Sequence, residues 1–387
     1  MYNFDEIIDR RNTQCVKWDG MQEVFGSEDL LPLWVADMDF KTPDFVIQAL
    51  RKRLDHEVLG YQLRPRSFFE AAQSWLRRRN GWEVALSELA FLPGVVPALS
   101  FAVQAFTRPG DKILIQPPVY HPFRHAVQDH GRELVCNPLR EDDGVYSVDF
   151  EDFEAKLALG VRMFILCNPH NPVAKVWSEE DLRRMGALCC KYGALILSDE
   201  IHSDLVFNPH KHVHIAALSE TLAQQTLTFF APSKTFNLGG MFTSVAHSAN
   251  KELLQTLMRY MEKMHLFHGS IFGDICAEAA YNHGDAWLEA LLDYLSGNFD
   301  YVVQYLQDHV PGIKTRRPEG TYLMWLDARG LGLSPEALQQ KMVAAGLGFN
   351  SGDLFGAEGA GFLRLNAACP RQRLEQACEM LRGCPRH

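Results

Sequence analysis

From Leu89 onward the chain alternates short apolar runs with longer amphipathic stretches: LAFLPG then VVPALSFAVQAF, DKILIQP then Tyr120 to His130, RELVCNP, VRMFILCNP and ALILSDE. Short apolar runs bounded by Gly, Pro or Asn read as strands, and the longer stretches between them read as helices. Their alternation predicts βαβ units and an α/β fold, with a mostly parallel sheet covered by helices on both faces. The β-branched and aromatic run Thr226 to Phe230 predicts a further buried strand, and Thr243 to His247 another. Amphipathic helices are expected from Pro43 through Leu54 and from Ser67 through Trp75. Arg77, Arg78 and Arg79 near the second helix's C-terminal end suit its dipole and read as a solvated face. Lys251 to Gln307 is mostly helical in pattern. Beyond it, TYLMWLD, FLRLN and helices around Pro335 to Ala345 and Pro370 to Arg382 predict a smaller α+β unit. The expected division is an N-terminal segment, 1–42, packing on the small domain; a large domain, 43–284; and a small C-terminal domain, 285–387.

A length of 387 residues suits one large and one smaller domain. With 47% apolar and 22% charged residues the composition is that of an ordinary globular protein. A formal charge of −10 argues against nucleic acid or an anionic membrane as partner, so any anionic ligand must be met by local groups. Nine cysteines without a C-x-x-C pair read as reduced thiols, not as a disulfide framework or a zinc site. Cys189-Cys190, inside a helical pattern, reads as core. MYNFDEIIDRR lacks the apolar stretch of a signal peptide, and no run approaches membrane-spanning length. A cytoplasmic location is expected.

The polar residues with chemical potential fall at strand ends, where ligands bind in α/β sheets. Lys234 follows Thr226–Phe230 and the breaker Ala231-Pro232-Ser233. An amine held among apolar residues there has a lowered pKa, and becomes a nucleophile towards aldehydes and a base towards acidic C–H bonds. The alternative is a surface loop lysine. Gly94-Val95-Val96-Pro97 opens a helix whose free N–H groups suit a phosphate, or else makes a tight turn. Asn171, in Asn168-Pro169-His170-Asn171-Pro172, is an amide held just outside a strand. Asp199 ends an apolar strand as a helix cap or as a buried carboxylate. Tyr61, in GYQLRP, offers a ring and a hydroxyl, and packing is its default role. Asp37 and Asp39 read as turn or cap residues, without the third ligand a metal would need. His210-x-His212-x-His214 puts three imidazoles at alternate positions. With Asn208-Pro209 and Lys211 marking a turn and no acidic residue close by, a solvated loop is expected, and no metal.

Asn171, Asp199 and Lys234 lie 28 and 35 residues apart, each after an apolar run. In this order the chain resembles the aspartate aminotransferase-like, fold type I enzymes that use pyridoxal 5′-phosphate (PLP). More narrowly, WVADMDF, GYQLRP, PPVYHPF, NPHNP, SDEIHSDLVF, SKTFNL, EGTYLMWLD and FLRLNAACPR resemble the bacterial cystathionine β-lyase or cysteine-S-conjugate β-lyase branch. The resemblance covers essentially the whole chain. It implies that Asn171 donates to the cofactor's phenolic oxygen, Asp199 pairs with the pyridine nitrogen, Tyr120 stacks on the ring and Lys234 carries the aldehyde. It implies a phosphate grip by Gly94, Val95, Val96 and Ser233, completed by Tyr61 from a neighbouring chain, and so a homodimer with sites at the subunit interface. Catalytic roles are thereby implied for Lys234, Asp199 and Tyr61. Arg364 is implied to grip the substrate α-carboxylate, with Asn171, Val35 and Ala36 as further substrate contacts.

His202 stands where aminotransferases have a tyrosine, a change shared with the lyase branch. Two departures are Val173-Ala174 in place of Thr-Gly and Ala231 in place of a hydroxyl residue. The implied activity is α,β-elimination from cystathionine or an S-substituted cysteine, releasing a thiol, pyruvate and ammonia. An aminotransferase on the same fold is the alternative, and a weakly catalytic PLP protein acting by binding another protein is a third.

Overall fold

The computed structural model describes residues 2–383. The large sheet has seven strands, in spatial order Leu89–Leu92, Ser244–His247, Thr226–Phe230, Leu195–Asp199, Val161–Cys167, Lys112–Ile115 and Glu133–Cys136. The last five pair in parallel. Ser244–His247 runs antiparallel to both of its neighbours, a direction that an apolar run alone does not encode. Strand residues alternate between two separate cores: Met163, Ile165 and Cys167 belong to one, Phe164 and Leu166 to the other. That period of two on a sheet buried from both sides is why these strands read as continuous apolar runs.

Register aligns the strand ends that matter. Cys167 lies opposite Asp199, and Asp199 opposite Phe229. The segments leaving Val161–Cys167, Leu195–Asp199 and Thr226–Phe230 therefore emerge together along one edge of the sheet, the ligand-binding edge of α/β folds.

A four-stranded antiparallel sheet, ordered Lys314–Thr315, Leu323–Asp327, Phe362–Asn366, Asn350–Ser351, forms the second layer system. The 25-residue helix Asp285–His309 and helix Arg371–Arg382 belong with it: Arg371 Nε bonds Asn298 Oδ1 at 2.9 Å. The chain's first segment joins this sheet region. Leu31–Pro32 pairs in parallel with Leu347–Gly348, and Asn366 N–H bonds Leu33 O at 2.8 Å.

Two expectations change here. Asp37 and Asp39 are not turn or cap residues but the acids of a charge cluster. Asp39, 1% exposed, accepts from Arg10 at 2.7 Å, Lys17 at 3.0 Å and Trp18 Nε1 at 3.1 Å. Burial opposes its charge, yet Lys17 and Arg10 outweigh that and hold the carboxyl below the usual range. The arginine run ending helix Arg66–Asn80 is likewise not freely solvated. Arg78 bonds Tyr281 O at 2.6 Å and Asp285 at 3.2 Å, while Arg79 pairs with Glu289, tying this helix to two others, Ile271–His283 and Asp285–His309.

Candidate active site

Lys234 owes its position to Ala231 and Pro232. The strand stops at Phe230, proline takes the first position of the short helix Pro232–Thr235, and Lys234 projects from that turn. Its Nζ donates to Ala36 O at 2.6 Å. Burial, then the nearby Arg364 charge, lower its pKa to about 8. A lysine in this state is close to giving up its proton at neutral pH.

Asp199, the last residue of its strand, is buried and accepts a hydrogen bond from Ile201 N–H at 3.1 Å. Burial pushes its carboxyl up to about 7 against that hydrogen bond, and the charge of Glu200 adds to the rise. A buried carboxyl so shifted is short of a cationic partner. His202, one turn on, is pushed well below the ordinary histidine value by burial and by the Lys234 and Arg364 charges. Its imidazole is neutral, with Nδ1 unpartnered.

Arg364 arrives from the other sheet, in strand Phe362–Asn366. Nη1 donates to Asn171 Oδ1 at 3.0 Å, and Nη2 to Trp34 O at 2.9 Å and Asn350 Oδ1 at 2.7 Å. Nε has no partner, so that N–H and one on Nη1 remain for a ligand. Burial lowers its pKa only to about 10, leaving it cationic. Asn171 spends its oxygen on Arg364, which leaves its amide N–H groups free to donate.

These residues surround one cavity of about 310 Å³, a volume suited to a small molecule. Lys234, Ser233, Asp199, His202, Asn171, Tyr120 and Ala36 line it, as do Gly94, Val95 and Val96. Gly94 sits at φ 146°, and a Cβ there would come within 3.3 Å of Pro97 Cδ. It turns the chain sharply into helix Val95–Phe106, whose first residues, Val95 and Val96, line the cavity and whose first N–H groups have no partner within the helix.

Three of the residues named from the sequence lie elsewhere. Arg364 stands at the edge, reached through Asn171. Val35 turns its carbonyl to Asn366 Nδ2 at 2.6 Å and does not line the cavity. Tyr61 is 97% exposed and lies outside the cavity lining, with His268 at 5.6 Å as its ring neighbour among the described residues.

The expectation for the histidine triplet is overturned in part. His212 and His214 are not in a solvated loop; both hydrogen-bond the buried Glu200, an acid adjacent in space though 12 and 14 residues away in sequence. Only His210 is open to solvent, 3.9 Å from Glu319. Tyr322 and Asn350 were missed. Tyr322 Oη donates to Ala36 O at 2.8 Å, and Asn350 anchors Arg364. The tyrosine lay in EGTYLMWLD, an apolar strand where it reads as packing, and Asn350 carries no local signal.

A doubly wound sheet with a lysine, an aspartate and a helix N-terminus at one edge is the PLP-dependent transferase-like architecture, fold type I. Residues 28–381 match the family model described as Aminotransferase class I and II, and the chain belongs to that family. It is 43% identical over 383 residues to Cystathionine beta-lyase PatB of Bacillus subtilis (strain 168), covering 98% of this chain and 99% of that protein. Among solved structures, a PLP-bound protein of Clostridium difficile 630, provisionally called an aminotransferase, superposes with a TM-score of 0.98 at 41% identity, covering 99% of this chain and 100% of the other. Cystalysin from Treponema denticola, which contains PLP, gives a TM-score of 0.96 at 33% identity over 99% and 98% of the two chains.

Proposed function

We propose that this protein is a PLP-dependent carbon–sulfur β-lyase that cleaves cystathionine or an S-substituted cysteine to a thiol, pyruvate and ammonia. One observation carries it. A half-buried Lys234 with a lowered pKa and a buried Asp199 short of a cation share one cavity, in a chain 43% identical to a relative named cystathionine beta-lyase.

The residues present fit the cofactor. Asp199 lacks a positive partner of the kind a protonated pyridine nitrogen provides. Asn171 and His202 suit the phenolic oxygen, Tyr120 the ring face, and Ser233 with the N–H groups of Val95 and Val96 the phosphate. PLP, when bound, supplies an aldehyde for the substrate amine and a ring that takes up the electron pair left at the α-carbon. Lys234 would hold the cofactor through Nζ and, with that amine free, would take the substrate's α-proton. Arg364 binds the α-carboxylate through its free N–H groups, which fixes the direction of the Cα–H bond. Ala36 O, which accepts from Lys234 Nζ at 2.6 Å, keeps that amine aimed at the cavity.

The protein acts as a cytoplasmic homodimer. Val58, Leu59, Tyr61 and Leu63 form an exposed apolar strip, and Phe242 at the cavity is also exposed. A second copy covering that strip brings the partner subunit's Tyr61 to the phosphate. We divide the chain into a large unit, 43–284, which supplies most of the cavity lining, and a small one, 285–387, which carries Arg364 and on which segment 1–42 packs.

The assay feeds cystathionine or S-substituted cysteines alone, reading thiol with a thiol reagent and pyruvate by lactate dehydrogenase coupling, with and without 2-oxoglutarate. Thiol and pyruvate over many turnovers without a keto acid are expected. No thiol from any β-thio amino acid, and turnover only when a keto acid is added, would make the protein an aminotransferase.

A further inference from the structure

Next to Asp199, but not lining the cavity, lies a set of buried groups to which no task has yet fallen. Side chains alternate along a strand, so Ser198 and Glu200 point to the side opposite Asp199. Ser198 Oγ donates to Glu200 Oε1 at 2.7 Å. Glu200 Oε2 accepts from His212 Nε2 at 3.0 Å and from His214 Nδ1 in a shorter contact. A carboxylate only accepts, so both of these ring nitrogens carry hydrogen. The other nitrogens, His212 Nδ1 and His214 Nε2, are buried without partners among the described residues, so a second proton on either ring would be left unsatisfied. Burial likewise pushes His214 below its ordinary value. Glu200 is then an anion with three neutral donors.

The groups packed around the cluster leave that charge in place. Trp82 stacks on His214 at 4.2 Å, with His247 edge-on to it at 4.4 Å and turned to Glu88 at 3.4 Å. Asp204 spends its carboxylate on Trp75 Nε1 at 2.9 Å and Thr235 Oγ1 at 2.7 Å. The main chain is tied as well. Glu200 N–H bonds Phe229 O at 2.8 Å, and Ser203 N–H bonds Glu200 O at 2.9 Å.

We propose that Ser198, Glu200, His212 and His214 form a positioning network that fixes the turn Asp199–His202 and keeps a permanent negative charge beside Asp199, so that Asp199 retains a proton on the cofactor's ring nitrogen. A like charge nearby makes a carboxylate more basic, and a more basic Asp199 holds that shared proton more firmly. The inference rests on the reading of Asp199 given under Proposed function.

The test uses holoenzyme loaded with PLP labelled with ¹⁵N in the ring, following ring-nitrogen protonation by NMR against pH, alongside kcat, KM and thermal midpoint. In Glu200→Gln the ring nitrogen loses its proton about one pH unit lower and kcat falls about tenfold. KM stays within about twofold, because Arg364 is untouched. His212→Gln, which keeps a donor, gives a smaller shift in the same direction and serves if Glu200→Gln does not fold. A lower thermal midpoint with unchanged nitrogen titration and kcat in both variants would reduce the network to a structural element and overturn the proposal. So would one equivalent of a divalent metal in the wild-type holoenzyme, since Glu200, His212 and His214 are also a metal-type donor set. Asp199→Asn separates the two levels. If it leaves ring protonation and kcat intact, the role of Asp199 itself is wrong and this inference falls with it; if it abolishes both while Glu200→Gln changes neither, only the network proposal falls.

Discussion

Replacing Asp199 by asparagine should stabilise the cofactor-free protein while destroying its activity. The carboxyl is raised from 3.8 to about 7 in the folded chain. A gap of about three units, at about 1.4 kcal/mol each, amounts to about 4 kcal/mol. Because the folded state holds this proton more tightly than the unfolded chain, the wild type is best off below about pH 4 and loses stability as pH climbs to about 7. Asparagine has no proton to lose. The two apoproteins should therefore match near pH 4 and separate progressively, the variant leading by up to about 4 kcal/mol above pH 7. For 387 residues the unfolding entropy is about 0.8 kcal/mol/K, so the lead corresponds to about 5 °C in thermal midpoint. The assay is thermal unfolding of PLP-stripped wild type and Asp199→Asn from pH 4 to pH 8. With PLP bound the lead should shrink or reverse, since the ring nitrogen then supplies the missing positive partner. A difference that does not change with pH would refute the reasoning, because it would mean that Asp199 is already solvated or paired without the cofactor.

Lys234, near 8 in the empty site, is protonated below that pH and nucleophilic above it. The rate of PLP uptake by apoprotein, followed by stopped-flow absorbance, should rise about tenfold per pH unit up to about pH 8 and then level off, whereas a flat profile from pH 6 to 8 would show an amine already neutral. Mixing inactive Tyr61→Ala and Lys234→Ala chains should restore part of the activity through hybrid dimers with one intact site; no recovery despite demonstrated subunit exchange would mean each site is built within one chain. Ala174 sits at φ 58°, a left-handed conformation that glycine adopts freely. Ala174→Gly should raise stability by about 0.5–1 kcal/mol, read as a higher thermal midpoint, and a lower midpoint would show that the alanine is not strained.

The elements that could be read from the chain are those whose burial is one-dimensional. Leu195–Asp199 and Thr226–Phe230 are covered on both faces, so apolar and β-branched residues dominate them and the runs stand out, with the polar residues at and after their ends marking the edge. Strand direction does not stand out: nothing in the short buried run Ser244–His247 marks it as antiparallel to both of its neighbours. Within the site, Lys234, Asp199 and Asn171 were visible because each follows a run. Asn350 was not, since its role is to accept from Arg364 across a sheet pairing that only the fold creates. The histidines misled for the same reason. The partner of His212 and His214 lies beyond a turn, so local sequence showed imidazoles beside Asn-Pro and no acid.

The hydrogen bond from Arg364 to Trp34 O joins residues 330 apart in sequence. During synthesis the two arrive at very different times. At roughly 5–20 residues per second, the segment carrying Trp34 and Ala36 waits about 15–65 s before its sheet partners are made. In that interval Leu31–Pro32 has no Leu347–Gly348 to pair with, and the carbonyl of Ala36 has no Tyr322. A nascent chain can fold its seven-stranded sheet and set out Lys234 well before the wall bearing Arg364 exists. PLP can therefore meet a half-built pocket on the ribosome, to which the strand bearing Arg364 is added last.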